Sequence, residues 1–155
     1  MIIFFISILL LTSLKLCKKQ FHPFELFLLF IFSSIMCQLT FYKLFSYDRL
    51  GIVPEWWQDL TAKMHFGIVL PITLLWTMYI FKSNTNEIGK VTALFGWIMF
   101  SITIEKIFLQ IGVLESKSHS WYPSLDMTFG MFIIIMTIFF MNQLTKILRK
   151  DNIIK

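Results

Sequence analysis

The composition of this 155-residue chain excludes an ordinary water-soluble protein: 57% of its residues are hydrophobic, 15% are charged and the mean hydropathy is +0.73. The connections between its apolar runs are too short to hold a second folding unit, so residues 1–155 are predicted to form a single integral membrane domain. The net charge of +5 does not indicate nucleic acid, because no basic face with interleaved aromatic residues lies outside the apolar runs. We therefore expect the lipid bilayer as partner and no nucleic acid.

Five apolar runs predict an all-α fold, a polytopic membrane helix bundle with about five transmembrane helices. The runs cover residues 1–16, 24–45, 60–81, 91–114 and 123–148. A helix needs about 20 apolar residues to cross a bilayer core about 30 Å thick. Four runs meet that length, and the first is near the lower limit. The first run has no basic segment before it and no small-residue cleavage site after it, so we expect an uncleaved span.

The distribution of Lys and Arg predicts how the helices cross the membrane. With the N-terminus outside, nine of these residues fall in cytoplasmic segments: Lys15, Lys18, Lys19, Lys82, Lys90, Lys146, Arg149, Lys150 and Lys155. The outer segments then hold four: Lys43, Arg49, Lys63 and Lys117. Because positive charge is enriched in cytoplasmic connections, we expect the N-terminus outside and the C-terminus in the cytoplasm. A four-span alternative that omits the first run orients the other helices in the same way.

Two outer connections carry aromatic residues that suit the membrane surface. Tryptophan and tyrosine are enriched at the headgroup level. Trp56 and Trp57 in one connection, and Trp121 and Tyr122 in the other, are therefore predicted interfacial anchors. We also expect a short interfacial helix beginning near Pro54, because proline suits the first helical position.

Pro71 lies inside the third run and is predicted to kink that helix. Proline has no backbone N–H, so the carbonyl of Gly67, four residues earlier, loses its hydrogen bond within the helix. In the second run, Ser34 and Gln38 lie one turn apart and are predicted to face a partner helix. Glu25 is interpreted as an acid at a helix start, with no chemical role.

Glu105 is the one acid deep inside an apolar run, and it is the leading candidate for a polar membrane site. It lies about nine residues, or roughly 13 Å, from the outer end of the fourth run. An intramembrane carboxylate is costly, which makes it a functional candidate by default. Four further residues share its helical face: Trp97, Ser101, Phe108 and Gly112. This face is predicted to point into the bundle, with Ser101 and Gly112 permitting close helix approach.

His65 and Asp126 lie near the outer ends of the third and fifth runs, so both could line one outward-opening cavity with Glu105. Such a set can relay protons or bind a divalent cation, although no local motif connects the three residues. Two alternatives stay open: Glu105 can instead hold the helices together by hydrogen bonding, and Asp126 suits the positive end of its helix dipole. No catalytic residue, metal site or cofactor is predicted, and Cys17 and Cys37 have no metal-ligand spacing.

The second half of the chain carries a recognisable pattern over roughly its last 65 residues. An aromatic-rich span contains a glutamate, a glycine follows on the same face, and a loop tryptophan precedes the last span. The residues are Gly96, Trp97, Ile98, Met99, Phe100, Ser101, Glu105, Gly112, Trp121 and Ser124. This pattern resembles a family of small multispan membrane proteins of spore-forming Firmicutes, which has no established function. The resemblance implies a five-span protein of a bacterial cytoplasmic membrane and supplies no activity.

The sequence therefore predicts a small non-enzymatic membrane component that packs against itself, as a homo-oligomer, or against another membrane protein. The alternative function is proton or cation handling through Glu105 with His65 and Asp126. An intramembrane enzyme is a third reading, since no nucleophile–base pair is visible.

Overall fold

An all-α bundle of five apolar helices confirms the predicted fold class. The computed structural model describes residues 2–39, 50–83, 85–116 and 123–151. Among these residues three helices are long and apolar enough to cross a membrane: Trp56–Lys82, Glu87–Gln110 and Pro123–Lys150. The other two apolar helices are shorter, with 16 and 15 residues. That all five cross the bilayer stays a prediction.

The helices follow the order of the apolar runs. Helix α1 is Ile2–Cys17, α2 is Pro23–Cys37, and a short strand β1 is Leu50–Ile52. The next helix, which we call the central helix, has three parts: α3 (Trp56–Met64), a π-helical segment (His65–Val69) and α4 (Leu70–Lys82). It is followed by α5 (Glu87–Gln110), β2 (Leu114–Ser116) and α6 (Pro123–Lys150).

Four helices pack in a ring whose neighbouring pairs are α2–α4, α4–α5, α5–α6 and α6–α2. Helix α1 lies outside this ring and packs on α3, the π-helical segment and α4. There Trp76 Nε1 donates a hydrogen bond to Ser13 Oγ at 2.9 Å. The central helix is the most enclosed of the three long helices, because 61% of its most apolar stretch is buried, against 33% for α5 and for α6.

The two ends of the bundle differ. At one end, which we call the ribbon end, β1 pairs antiparallel with β2, so that Leu50 lies opposite Ser116. Gln58 Nε2 donates to the Gly112 carbonyl at 2.8 Å and ties the start of the central helix to this ribbon. We call the opposite end the ion-pair end, because Lys82 and Glu25 form an ion pair there. The sequence did not predict the ribbon.

The predicted short interfacial helix at Pro54 is wrong. The helix begins at Trp56 and continues through the π-helical segment to Lys82. Trp56 and Trp57 therefore lie in the first turn of a long helix, where they are 79% and 43% exposed. Their role as interfacial anchors stays a prediction, and the other two predicted anchors, Trp121 and Tyr122, lie outside the described residues.

The fourth run ends as a helix earlier than predicted, at Gln110. Gly112 follows with a φ of 73°, and the N–H of Val113 donates to the Phe108 carbonyl at 2.9 Å. This is the Schellman end of a helix, which favours glycine at the left-handed position. The predicted role of Gly112 in close helix packing is wrong, since a Cβ there would meet no described atom within 4 Å.

Candidate functional site

The central helix changes its hydrogen-bond pattern at the π-helical segment. The N–H of Leu70 donates to the carbonyl of His65, five residues earlier. Pro71 follows and has no N–H, so the Gly67 carbonyl has no backbone donor four residues on. Ser34 Oγ of α2 donates to that carbonyl at 3.0 Å. The prediction that Pro71 frees the Gly67 carbonyl is confirmed. The π-helical segment is itself of interest, because such turns occur often at functional sites.

The π-helical segment is also where α2 comes closest to the central helix. A Cβ on Gly67 would lie 2.6 Å from Nε2 of Gln38, so only a residue without a side chain fits against the present position of that amide. Ser34 and Gln38 were predicted to face a partner helix, and this is confirmed. The partner is the π-helical segment itself.

A groove of about 780 Å³ runs along the central helix, between α1 and α5. The central helix contributes Trp57, Thr61, His65, Val69 and Thr73, which are spaced four residues apart. The other described lining residues are apolar and come from α1, from α5 and from the residue that follows α5: Ile3, Ile6, Leu10, Phe100, Ile104, Phe108 and Ile111. None of the described lining residues is charged. The groove is therefore an apolar surface with a few weakly polar groups along the central helix.

His65 is the strongest polar group of the groove. It is 3% exposed, and its ring makes edge-to-face contacts with Phe66 and Phe108, with centroids 5.1 Å and 4.9 Å apart. No hydrogen bond within the described part of the chain involves the His65 ring. By contrast, Thr61 and Thr73 each donate to a carbonyl of their own helix. The imidazole is therefore the group that can bind a polar atom entering the groove.

The predicted polar residues of α5 are buried outside the groove lining. Ser101 and Glu105 are 3% and 2% exposed, as the helical periodicity predicts, and neither lines the groove. Ser101 Oγ donates to the carbonyl of Ile98 at 2.8 Å, within its own helix. Phe108, one turn beyond Glu105, is the residue through which this face meets His65.

Asp126 lies at the same level of the bundle as these two residues. A Cβ on Gly130 would lie 3.1 Å from Ile98 Cγ1, which fixes where α6 crosses α5. The two helices are antiparallel, so Asp126, one turn before Gly130, falls one turn after Ile98, between Ser101 and Glu105. Asp126 is fully buried and does not line the groove. The groove is thus lined by His65 and by neither of the two acids, so it is not the cavity that the sequence predicted for all three residues.

A second polar cluster, at the ion-pair end, was missed by the sequence reasoning. Glu25 has 1% side-chain exposure, and its Oε1 lies 2.9 Å from Lys82 Nζ. Thr145 Oγ1 donates to the same oxygen at 2.7 Å. Lys82 Nζ also lies 4.4 Å from the centre of the Phe21 ring. The cluster joins α2, α4 and α6, so the interpretation of Glu25 as only a helix-start acid is incomplete.

The sequence did contain one indication of this cluster, namely that Glu25 and Lys82 are expected at the same depth in the membrane. The sequence places an acid in the first turn of the second run and a lysine at the end of the third, on the same side of the membrane. The helix-start interpretation itself is confirmed, because His22 and Glu25 form a capping box at the start of α2. Within the described residues, no group of three or more His, Cys, Asp or Glu side chains could hold a metal ion.

Comparison with known proteins does not extend these observations. The chain matches no family model, no curated protein and no solved structure.

Proposed function

We propose that this chain is a non-enzymatic integral membrane protein that binds a hydrophobic molecule of the bilayer in the groove between α1 and α5. The groove carries the proposal. Its volume of about 780 Å³ falls within the range of roughly 300–1,000 Å³ that is typical of ligand sites. Its walls are apolar, and one polar group is available in them. The three long apolar helices support a membrane protein.

The proposal includes the predicted orientation in a bacterial cytoplasmic membrane. Lys15, Lys82 and Lys90 lie towards the ion-pair end, in the last turns of α1 and α4 and the first turn of α5. Arg149 and Lys150 end α6 at the same end. Cytoplasmic segments are enriched in such residues, which favours the ion-pair end as the inner end. Membership of the spore-former family, and a homo-oligomer or membrane protein partner, remain part of the same proposal.

Filling the groove tests this function. Ile104 lines the groove, so Ile104→Trp should remove much of the bound lipid that stays with the protein on mild detergent extraction. Met99→Trp is the matched control, because Met99 lies on the same helix, is 54% exposed and does not line the groove. The measurement is lipid bound per protein by native mass spectrometry. Equal lipid in the parent and both variants would exclude the groove as a binding site.

A second candidate function, proton or cation handling, is favoured by two buried acids. Glu105 and Asp126 are 2% and 0% exposed and lie at one level of the bundle. Carboxylates inside membranes commonly mark ion paths. The test is proton or cation flux in proteoliposomes for the parent and Glu105→Gln. Flux that is lost in the variant supports this function, and no flux in the parent excludes it.

A further inference from the structure

We propose that the molecule held in the groove is a neutral lipid with an apolar chain and one uncharged oxygen group, a hydroxyl or a carbonyl, that hydrogen-bonds to His65. This inference rests on the proposed function and adds the chemical class of the ligand and its polar contact. Three observations carry it: the hydrogen bonding of His65, the charge of the groove and its dimensions.

The hydrogen bonding of His65 calls for a ligand with a polar atom. A neutral imidazole has one donor and one acceptor nitrogen, and buried polar groups are rarely left without partners because desolvation is costly. The ring contacts of His65 with Phe66 and Phe108 satisfy neither nitrogen. His65 lines the groove, so an oxygen atom of a bound molecule can supply the partner that the described residues do not.

The absence of charged side chains among the described lining residues favours an uncharged ligand. No Lys, Arg, Asp or Glu is among the lining residues that the structure describes, and an ionised headgroup would find no counter-charge from them in a medium of low dielectric constant. His65 also lies eight residues, or about 12 Å, from Trp57 along the helix. Trp57 marks the headgroup level if it is an interfacial anchor. A phospholipid headgroup at that level does not reach His65.

The dimensions of the groove favour a lipid over a helix of a second copy. A 20-residue helix with a diameter of about 10 Å and a length of about 30 Å occupies roughly 2,400 Å³. The groove offers about 780 Å³, enough to hold a lipid chain between its walls, whereas such a helix would rest on it with one face only. A chain-like lipid can lie along the line from Trp57 to Thr73 with its oxygen group at His65.

The experiment is photolabelling in proteoliposomes with decanol that carries a diazirine in its chain, compared with decane that carries the same diazirine. In the parent, the alcohol should label groove peptides more strongly than the alkane. His65→Phe keeps an aromatic ring and removes the hydrogen bond, so alcohol labelling should fall roughly three- to tenfold. Alkane labelling should not change. His65→Gln, which keeps a donor and an acceptor, should retain most of the alcohol labelling.

The groove-filling variant separates this inference from the proposed function. If Ile104→Trp lowers labelling by both probes while His65→Phe lowers neither, the groove binds lipid and the role of His65 is overturned. If Ile104→Trp changes neither probe, the proposed function fails as well. If neither probe labels the groove of the parent, while the variant Ile104→Cys links two copies of the chain by a disulfide, the occupant is a protein helix and the lipid assignment is wrong. Thermal unfolding is the control for folding. The melting temperatures of His65→Phe and His65→Gln should agree within a few degrees, and a larger difference would reveal a folding defect.

Discussion

The ion pair between Lys82 and Glu25 offers a direct test of what holds the bundle together. We consider Lys82→Met, which keeps most of the aliphatic side chain and removes the ammonium group. The carboxylate of Glu25 is left in the protein with Thr145 Oγ1 as its remaining close donor at 2.7 Å. The N–H of His22, at 3.4 Å from Oε2, is a weak further donor. The variant should therefore be clearly less stable than the parent.

The expected loss follows from how deeply each partner is buried. Removing one partner of a buried ion pair costs about 3–5 kcal/mol when both charges are shielded from water. Glu25 meets that condition with 1% side-chain exposure, but Lys82 keeps 28%, so water can approach the position of the lost ammonium. We therefore expect the free energy of unfolding to fall by about 2–3 kcal/mol.

Lys90→Met is the matched control. Lys90 also lies at the ion-pair end, pairs with Glu87 at 2.8 Å, and has its Nζ 6.0 Å from the centre of the Phe81 ring. The side chain of Glu87 is 86% exposed, so breaking this pair should cost at most about 0.5 kcal/mol.

The assay is equilibrium unfolding in mixed micelles of a mild detergent and sodium dodecyl sulfate. The double variant Glu25→Gln with Lys82→Met should recover at least half of the loss, because the uncharged amide can still accept from Thr145. Equal losses for Lys82→Met and Lys90→Met, or a double variant that is no more stable than Lys82→Met, would refute the reasoning.

Two further predictions concern the contacts of the central helix and of α6, and both are measured by unfolding of the purified protein. Ser34→Ala removes the donor to the Gly67 carbonyl and should cost about 1 kcal/mol; in a Pro71→Ala background, where an N–H becomes available, it should cost less. Gly130→Ala places a Cβ 3.1 Å from the α5 side chain that faces it and should cost about 1–3 kcal/mol by overpacking. Gly96→Ala meets no described atom within 4 Å and should be neutral or stabilising; a loss as large as that of Gly130→Ala contradicts the packing argument.

Apolar length and the chemistry of proline were readable from the sequence because both act locally. The runs predicted the helices, and Pro71 predicted the free carbonyl of Gly67 without knowledge of any partner. The periodicity of α5 predicted that Ser101 and Glu105 would be buried, and both are.

Pairing between distant residues could not be predicted in the same way. Lys82 and Glu25 lie 57 residues apart, and helical periodicity does not state which helices are neighbours. The ribbon was missed because its strands have three residues each, too few to show alternation. Leu114 lies in an apolar run, so its composition predicted that the helix would include it. The left-handed backbone at Gly112 ends that helix earlier.

The sequence could not predict which face of the central helix carries His65. The sequence grouped it with Glu105 and Asp126 by depth alone. Depth was a sound criterion for the two acids, which share a level. Depth does not state towards which neighbouring helix the His65 side chain is directed. The π-helical turn at that position also changes the angle between successive side chains around the helix.

The π-helical segment also gives the central helix a tolerance for changes in length. A deletion inside a continuous membrane helix normally rotates everything beyond it by about 100° and shifts it by about 1.5 Å. The segment from His65 to Val69 already holds one residue more than an α-helical turn requires. Deleting Ile68 would remove this extra residue, so that Gln58 and Lys82 on either side could keep their present partners. Pro71 would then lie four residues after Phe66, and the Phe66 carbonyl would lose its helical hydrogen bond in place of that of Gly67. The middle of the membrane helix is thus the place where this chain can lose a residue without losing its register.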